Sequence, residues 1–163
     1  MAVENLYDPS LYDASTLDHP ARLAALAHSG LLRHGPDDRL DLLCETACVV
    51  LSCTRAQVNM LEGLYQTSIG RWPPTDPRIR LVTDSACRAV IMSGQPVVVP
   101  DMRLHPLMCQ IVGASSYLGV PIRFEGQVIG TFCVLDSEVR EWTAWNIAGL
   151  QGLGRLAGLA VNV

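Results

Sequence analysis

The chain has 163 residues, 49% of them hydrophobic, enough for one well-filled domain and too few for two comfortable ones. Its formal charge is −4 and its pI is near 5.5. All 12 basic residues other than histidine are scattered arginines, so the clustered positive surface that nucleic acid requires is missing. The first twenty residues are acidic, punctuated by proline and without an apolar run; that excludes a secretory signal and predicts a cytoplasmic chain whose six cysteines are thiols.

Residues 1–18 read as a mobile or loosely packed tail, with Leu6, Tyr7, Leu11 and Tyr12 available to dock, and residues 19–163 as a single domain. Asp18 is positioned to cap a helix with Pro20 in its first turn. Leu23, Leu26, Ala27 and Leu31 recur along it at helical spacing until Gly35-Pro36. A second helix begins at Asp37-Asp38, whose carboxylates suit the positive end of the helix dipole. Its expected buried stripe is Leu40, Leu43, Cys44, Ala47, Val50 and Leu51.

Ala56–Leu61 and Leu64–Gly70 form a strand pair turning near Glu62-Gly63. The stretch RWPPTDPRIRLVTD, with Pro73, Pro74 and Pro77, reads as a loop, because proline neither donates to a ladder nor continues a helix. A short helix over Ser85–Met92 ends at Gly94 and Pro96, and Val97–Val99 is a brief strand. Residues 101–116 are a loop with a turn or two of helix near Pro106–Val112.

Tyr117–Phe124 and Gln127–Leu135 flank Glu125-Gly126, a hairpin signal, since glycine supplies the positive φ of a tight turn. The run VIGTFCVL is apolar on both sides of the pleat, which predicts a central strand covered on both faces. Thr143 caps a last helix reaching about Asn162. Its apolar arc is wider than a surface helix needs, and Gly149, Gly152, Gly154 and Gly158 permit close approach. Three polar side chains and an arginine within it make a membrane span a poor reading, and burial against a partner helix is expected instead.

Taken in order, several motifs together resemble the GAF family of small-molecule sensor domains, over roughly Pro20 to the C-terminus. They are Ser85-x-Cys87-x-x-Val90, Gly94-x-Pro96-Val97-Val98-Val99-x-Asp101, Arg103-x-His105-Pro106 and Tyr117-Leu118-Gly119-Val120-Pro121. The series continues with Gly126-x-Val128-Ile129-Gly130-Thr131-Phe132-Cys133-Val134-Leu135-Asp136 and Arg140-x-Trp142-Thr143. The resemblance implies an α/β (α+β) fold with a central antiparallel sheet of five to six strands. Terminal helices would lie on one face and the loop Val82–Ser116 would close a ligand pocket on the other. It also implies a homodimer through the terminal helices.

The polar residues expected at that pocket are Asn59, Arg71, Arg103, His105 and Tyr117, with Cys87, Asp101 and Cys109 beside them. Asp101 and Asp136 equally suit capping at strand ends, with Arg103 pairing either. Cys87 stands near a helix start, where backbone N–H groups favour a thiolate. Free methionine-R-sulfoxide reductases, which are GAF enzymes, use loop cysteines near the places of Cys87 and Cys109, so a thiol enzyme is the alternative. This chain departs from them at Tyr117, Cys133 and Leu135, where that group has acids, and in the stretch GQPVVVPD, which lacks its additional cysteine. Some GAF domains bind haem through a histidine of the region of His105, and Cys109 is a bilin-attachment candidate. The Asn-Lys signature of cyclic-nucleotide binders is absent, since the chain has no lysine. Cys44, Cys48, Cys53 and Cys133 read as core packing; C-x3-C-x4-C lacks the C-x2-C knuckle of metal sites.

The expected function is thus regulatory. A ligand of unknown identity, or redox state, would be sensed with no cofactor specified and no membrane or nucleic-acid partner. The signal would pass to a second copy or a downstream signalling protein, supplied in trans or by a longer chain. A ligand-free dimeric interaction module, its pocket filled by its own side chains, is the further alternative.

Overall fold

The computed structural model describes residues 8–161; Leu6, Tyr7 and Asn162 lie outside the described residues. Helices α1 (Pro20–Ser29), α2 (Leu31–His34) and α3 (Asp38–Leu51) lead into strands β1 (Arg55–Glu62), β2 (Tyr65–Trp72) and β3 (Ile79–Leu81). Helix α4 (Arg88–Ser93) and β4 (Val97–Val99) follow, then β5 (Ser116–Phe124), β6 (Gln127–Asp136) and α5 (Ala144–Val161). The strands form one six-stranded sheet in the order β3-β2-β1-β6-β5-β4, every neighbouring pair antiparallel. This is the expected architecture at the upper end of the strand count.

The β5–β6 hairpin is central, as its two-sided apolar pattern predicts. Glu125 and Gly126 have φ of 52° and 76°, the left-handed pair that a two-residue hairpin turn demands. On one face of the sheet α1, α2, α3 and α5 bury Leu26, Leu40, Ala47, Leu51, Leu118, Val120, Phe132, Val134 and Leu150. The other face is covered by α4 and by the irregular segment 101–115. They bury Val90, Ile91, Met102, Met108 and Leu135, and Tyr12 and Leu17 of the N-terminal segment pack against the same cluster.

Capping fixes where the helices begin. His19, and not Asp18, caps α1, its Nδ1 accepting from Ala21 N–H at 3.2 Å, because Asp18 closes a preceding 3₁₀ turn. Asp37 caps α3. Thr143 and Asn146 cap α5 reciprocally: Asn146 N–H donates to Thr143 Oγ1 at 3.1 Å, and Thr143 N–H donates to Asn146 Oδ1 at 2.9 Å. Arg140 ties this start to the sheet. It donates to Asp136 Oδ2 at 3.1 Å and stacks 4.2 Å over Trp142, whose indole N–H reaches Val99 O at 3.3 Å.

Two local expectations are corrected. The proline-rich stretch is a loop only as far as Arg78; Ile79–Leu81 then pairs with the free edge of β2, where an edge position leaves room for a short strand between two bends. On α3, Val50 is exposed and Cys48 is buried in its place, since Cys44, Cys48 and Leu51 share the sheet-facing arc at i, i+4 and i+7.

Gly119 decides how the covered face is filled. A Cβ there would lie 2.7 Å from Tyr117 Cζ and 2.8 Å from Cε1. The Tyr117 ring therefore lies flat across Gly119 instead of leaving a hollow above it. Gly119→Ala is expected to cost about 1–3 kcal/mol in urea unfolding through overpacking. The loss should shrink in a Tyr117→Leu background; strictly additive effects of the two changes would contradict the contact.

Candidate functional site: a buried cluster around Cys87

Polar side chains from four strands converge beneath α4. Cross-strand register sets Asn59 opposite both Ser68 of β2 and Thr131 of β6, and Cys133 opposite both Gln57 and Gly119. Alternation along each strand then sends these side chains, with Tyr117, to the α4 face. Cys87, the residue before α4, meets them from the cover.

Asn59 Nδ2 donates to Cys87 Sγ at 3.2 Å and to Gln57 Oε1 at 3.0 Å, while its carbonyl oxygen accepts from Ser68 Oγ at 2.6 Å. The Tyr117 hydroxyl donates to Cys87 Sγ at 3.3 Å, and the Cys133 sulfur lies 3.5 Å from it. Ser85 fixes the backbone there: its Oγ accepts from Cys87 N–H at 3.1 Å and donates to Gln66 Oε1. All of these side chains are buried. The Thr131 hydroxyl reaches no partner in hydrogen-bonding geometry, although it lies close enough to Cys87 to favour its thiolate.

The electrostatics separate the two sulfurs. Burial pushes the Cys87 thiol up, but the polar groups gathered around it, Cys133 first and then Thr131, Tyr117 and Asn59, outweigh burial and lower it. Cys133 is raised well above the thiol range, because it donates to Cys87 and is itself buried. Tyr117 is raised by burial and by the neighbouring sulfurs, so its hydroxyl stays a donor. Cys87 is therefore the sulfur that ionises first.

A cavity of about 20 Å³ adjoins the cluster. Its lining runs from exposed Asp84 and half-buried Arg80 at the mouth down to Cys87, Tyr117 and Cys133. A larger groove of about 760 Å³, between β5 and the end of α5, is an open surface trough lined by Pro96, Ile122, Arg123, Arg155 and others; it holds none of the clustered polar groups.

Of the residues singled out from sequence, Asn59, Cys87 and Tyr117 come together. The others lie elsewhere. Arg71 donates to Asp76 O beside α3, and Asp101 caps a 3₁₀ turn while pairing with Arg103 at 2.7 Å. Cys109 is exposed on the turn after Pro106, its thiol directed at Pro106 O and Gln110. His105 is fully buried. Its Nδ1 accepts from Leu107 N–H at 3.2 Å, Nε2 faces the Tyr12 hydroxyl at 3.5 Å, and burial with the nearby Arg88 charge lowers its pKa to about 4. With both ring nitrogens turned to protein groups, His105 is not presented as a haem ligand.

Gln57, Ser68, Thr131 and Cys133 are cluster members that the sequence reading missed. The spacing Gln57-x-Asn59 and Thr131-x-Cys133 in otherwise apolar strands was the available signal. All six cysteines are free; Cys44 and Cys48 are core residues, with burial raising Cys48 to about 12 and Cys53 to about 11. Among the described residues no group of three metal-ligating side chains is assembled, and no helix is long and apolar enough to cross a membrane.

The GAF domain family model matches residues 35–161, and the chain belongs to that family, whose fold is a sensory and regulatory one. No curated protein matches the sequence. Among solved structures, the chain is similar to the type II free methionine-R-sulfoxide reductase of Thermoplasma acidophilum: 16% identity, TM-score 0.66, 76% of this chain and 90% of that one covered. It is similar to the GAF domain of the Acinetobacter phosphoenolpyruvate-protein phosphotransferase, with 13% identity, TM-score 0.65 and coverages of 88% and 94%. A third is the blue-light-absorbing PixJ GAF domain of Thermosynechococcus elongatus, with 14% identity, TM-score 0.58 and 88% of each chain covered. At these identities the likeness establishes the fold alone.

Titrating the ultraviolet thiolate absorbance of the protein against Cys87→Ser is expected to show a Cys87 midpoint below the ordinary thiol value of about 8.5. A midpoint at or above that value would contradict the assignment of the donors.

Proposed function

We propose that this is a sensory domain that registers a small molecule or redox state at the Cys87 cluster and reports it through α3 and α5. The observation that carries the reading is the convergence of buried polar groups on one sulfur in an otherwise apolar interior, closed under a cover built from short elements. Polar groups so placed orient a ligand or tune a reactive group; for stability alone an apolar packing would serve as well. A ligand too large for that cavity enters by lifting the 101–115 segment or displacing Tyr117.

Strand β5 supports the route to the helices. Tyr117 and Gly119 face the cluster, while Leu118, Val120 and Ile122, their alternating neighbours, face the helices. Gly154 of α5 approaches Val120 so closely that a Cβ there would lie 3.3 Å from its Cγ2. A shift of β5 is thereby felt by α5, and the ligand acts by favouring one of two packings.

The output surface is apolar. Trp145 is 87% exposed, and Trp145, Leu156 and Leu159 stand at i, i+11 and i+14 on α5, one stripe of the helix. Val49 of α3 is 74% exposed. Single exposed apolar residues are ordinary, whereas a stripe of them favours a homodimer through these helices or a downstream protein docked there. In this reading the domain works in the cytoplasm without nucleic acid or membrane.

The reductase-type alternative with Cys109 and Cys87 has less support, because Asp84 at the mouth is the one carboxylate of the described cavity lining. An amino-acid substrate would need more acidic anchoring than that.

Native mass spectrometry on protein purified from its own host tests the input: a bound mass released on denaturation supports the reading. Light scattering tests the output. The chain is expected at twice its 17.7 kDa mass, and a Trp145→Glu, Leu159→Glu variant as a folded monomer. A wild-type monomer, or a variant that stays dimeric, would overturn the helix route.

A further inference from the structure

We propose that Cys87 and Cys133 are a peroxide-oxidised pair, Cys87 the nucleophile and Cys133 the thiol that resolves it as a disulfide. This rests on the reading of the cluster as the input site and names the chemistry of the input. Three observations carry it. The two sulfurs are 3.5 Å apart, and a disulfide needs an approach of about 1.5 Å more. Cys87 accepts from Asn59 and Tyr117, an arrangement that stabilises a sulfur anion and no neutral thiol as well. The adjoining cavity of about 20 Å³ exceeds the space of one water, and both cysteines line it together with exposed Asp84. The lowered thiol of Cys87 agrees with this geometry.

The step balances with hydrogen peroxide as the named oxidant. The Cys87 thiolate attacks one peroxide oxygen; the O–O bond breaks, Cys87 becomes a sulfenic acid, and the departing hydroxide takes a proton from solvent. The Cys133 sulfur then attacks Cys87 sulfur, its own proton leaving with the displaced hydroxyl as a second water. One thiolate, one thiol, one peroxide and one proton give one disulfide and two waters. Both sulfur atoms are oxidised and the peroxide is reduced.

The closure has a direction. Cys133 is held in a central strand paired on both sides, whereas Cys87 precedes the six-residue α4, which ends at left-handed Gly94. Oxidation therefore draws α4 towards β6 and leaves the Tyr117 hydroxyl a neutral disulfide sulfur, a weaker acceptor than the thiolate. Cys109, though exposed, is outside the cavity lining and is not the partner.

The test uses the full reduced chain treated with equimolar hydrogen peroxide, quenched by alkylation and mapped by mass. The expected result is a loss of two hydrogens in a peptide joining Cys87 to Cys133. Cys133→Ser should accumulate a dimedone-reactive sulfenic acid at Cys87, with folding checked by circular dichroism. Cumene hydroperoxide, too large for the cavity, should react about tenfold more slowly or worse. A disulfide involving Cys109, or an unmodified Cys87 in wild-type protein, overturns the proposal. If the Cys87–Cys133 disulfide forms while the dimer and helix packing are unchanged, the pair stands and the sensory reading fails. If a ligand binds at the cluster and no such disulfide forms, the sensory reading stands and the pair fails.

Discussion

Strand β6 has no wet face, and the rest of the structure follows from that. It is paired on both edges and covered on both sides, by the helix layer and by α4 with its flanking segments. Any polar group on it must be satisfied inside the protein, because an unpaired buried donor or acceptor costs about 1–3 kcal/mol. Cys133 meets this constraint by contact with Cys87, and Cys87 in turn gathers Asn59 and Tyr117. The Thr131 hydroxyl, without a geometric partner, marks the point where satisfaction is incomplete.

The same constraint sets the cluster and the helix layer on opposite faces of the same strands. In a strand, neighbouring residues point to opposite faces, so Tyr117 and Gly119 serve the cluster while Leu118 and Val120 serve the helix layer. Gly119 is needed because the Tyr117 ring lies over it, and that ring fills the space where an open pocket would otherwise lie. The price of closure is a cover of short elements: one six-residue helix and a run of turns. Such segments are the natural ones to move, since few regular hydrogen bonds hold them.

Much of the fold was legible in the sequence because its signals are local. Glu125-Gly126 between two apolar runs fixed the central hairpin, Asp37 and Thr143 marked helix starts, and the doubly apolar run placed β6 in the middle. The candidate cluster was legible only in part. Asn59, Cys87 and Tyr117 were recognisable, but their convergence with Cys133, Gln57 and Ser68 depends on cross-strand register, which is a long-range property. Cys133 looked like packing because its neighbours in sequence are apolar, while its partners in space are not. Arg103 and His105 stand apart from the cluster, although a charged and a titratable residue in a loop suggest a ligand. Here Arg103 closes a local ion pair and His105 holds a turn. Val50 was placed inside by periodicity and lies outside, because α3 presents Cys48 to the sheet instead.

The central claim is that a change confined to the cluster is felt by the helices on the far side of the sheet. Hydrogen–deuterium exchange on the protein and on Tyr117→Phe tests it most directly, since the substitution removes only the hydroxyl that donates to Cys87. The account predicts altered protection in α5, along the stretch that packs on Val120, in addition to α4. A change restricted to α4 and the 101–115 cover, with α5 protected as before, would contradict it.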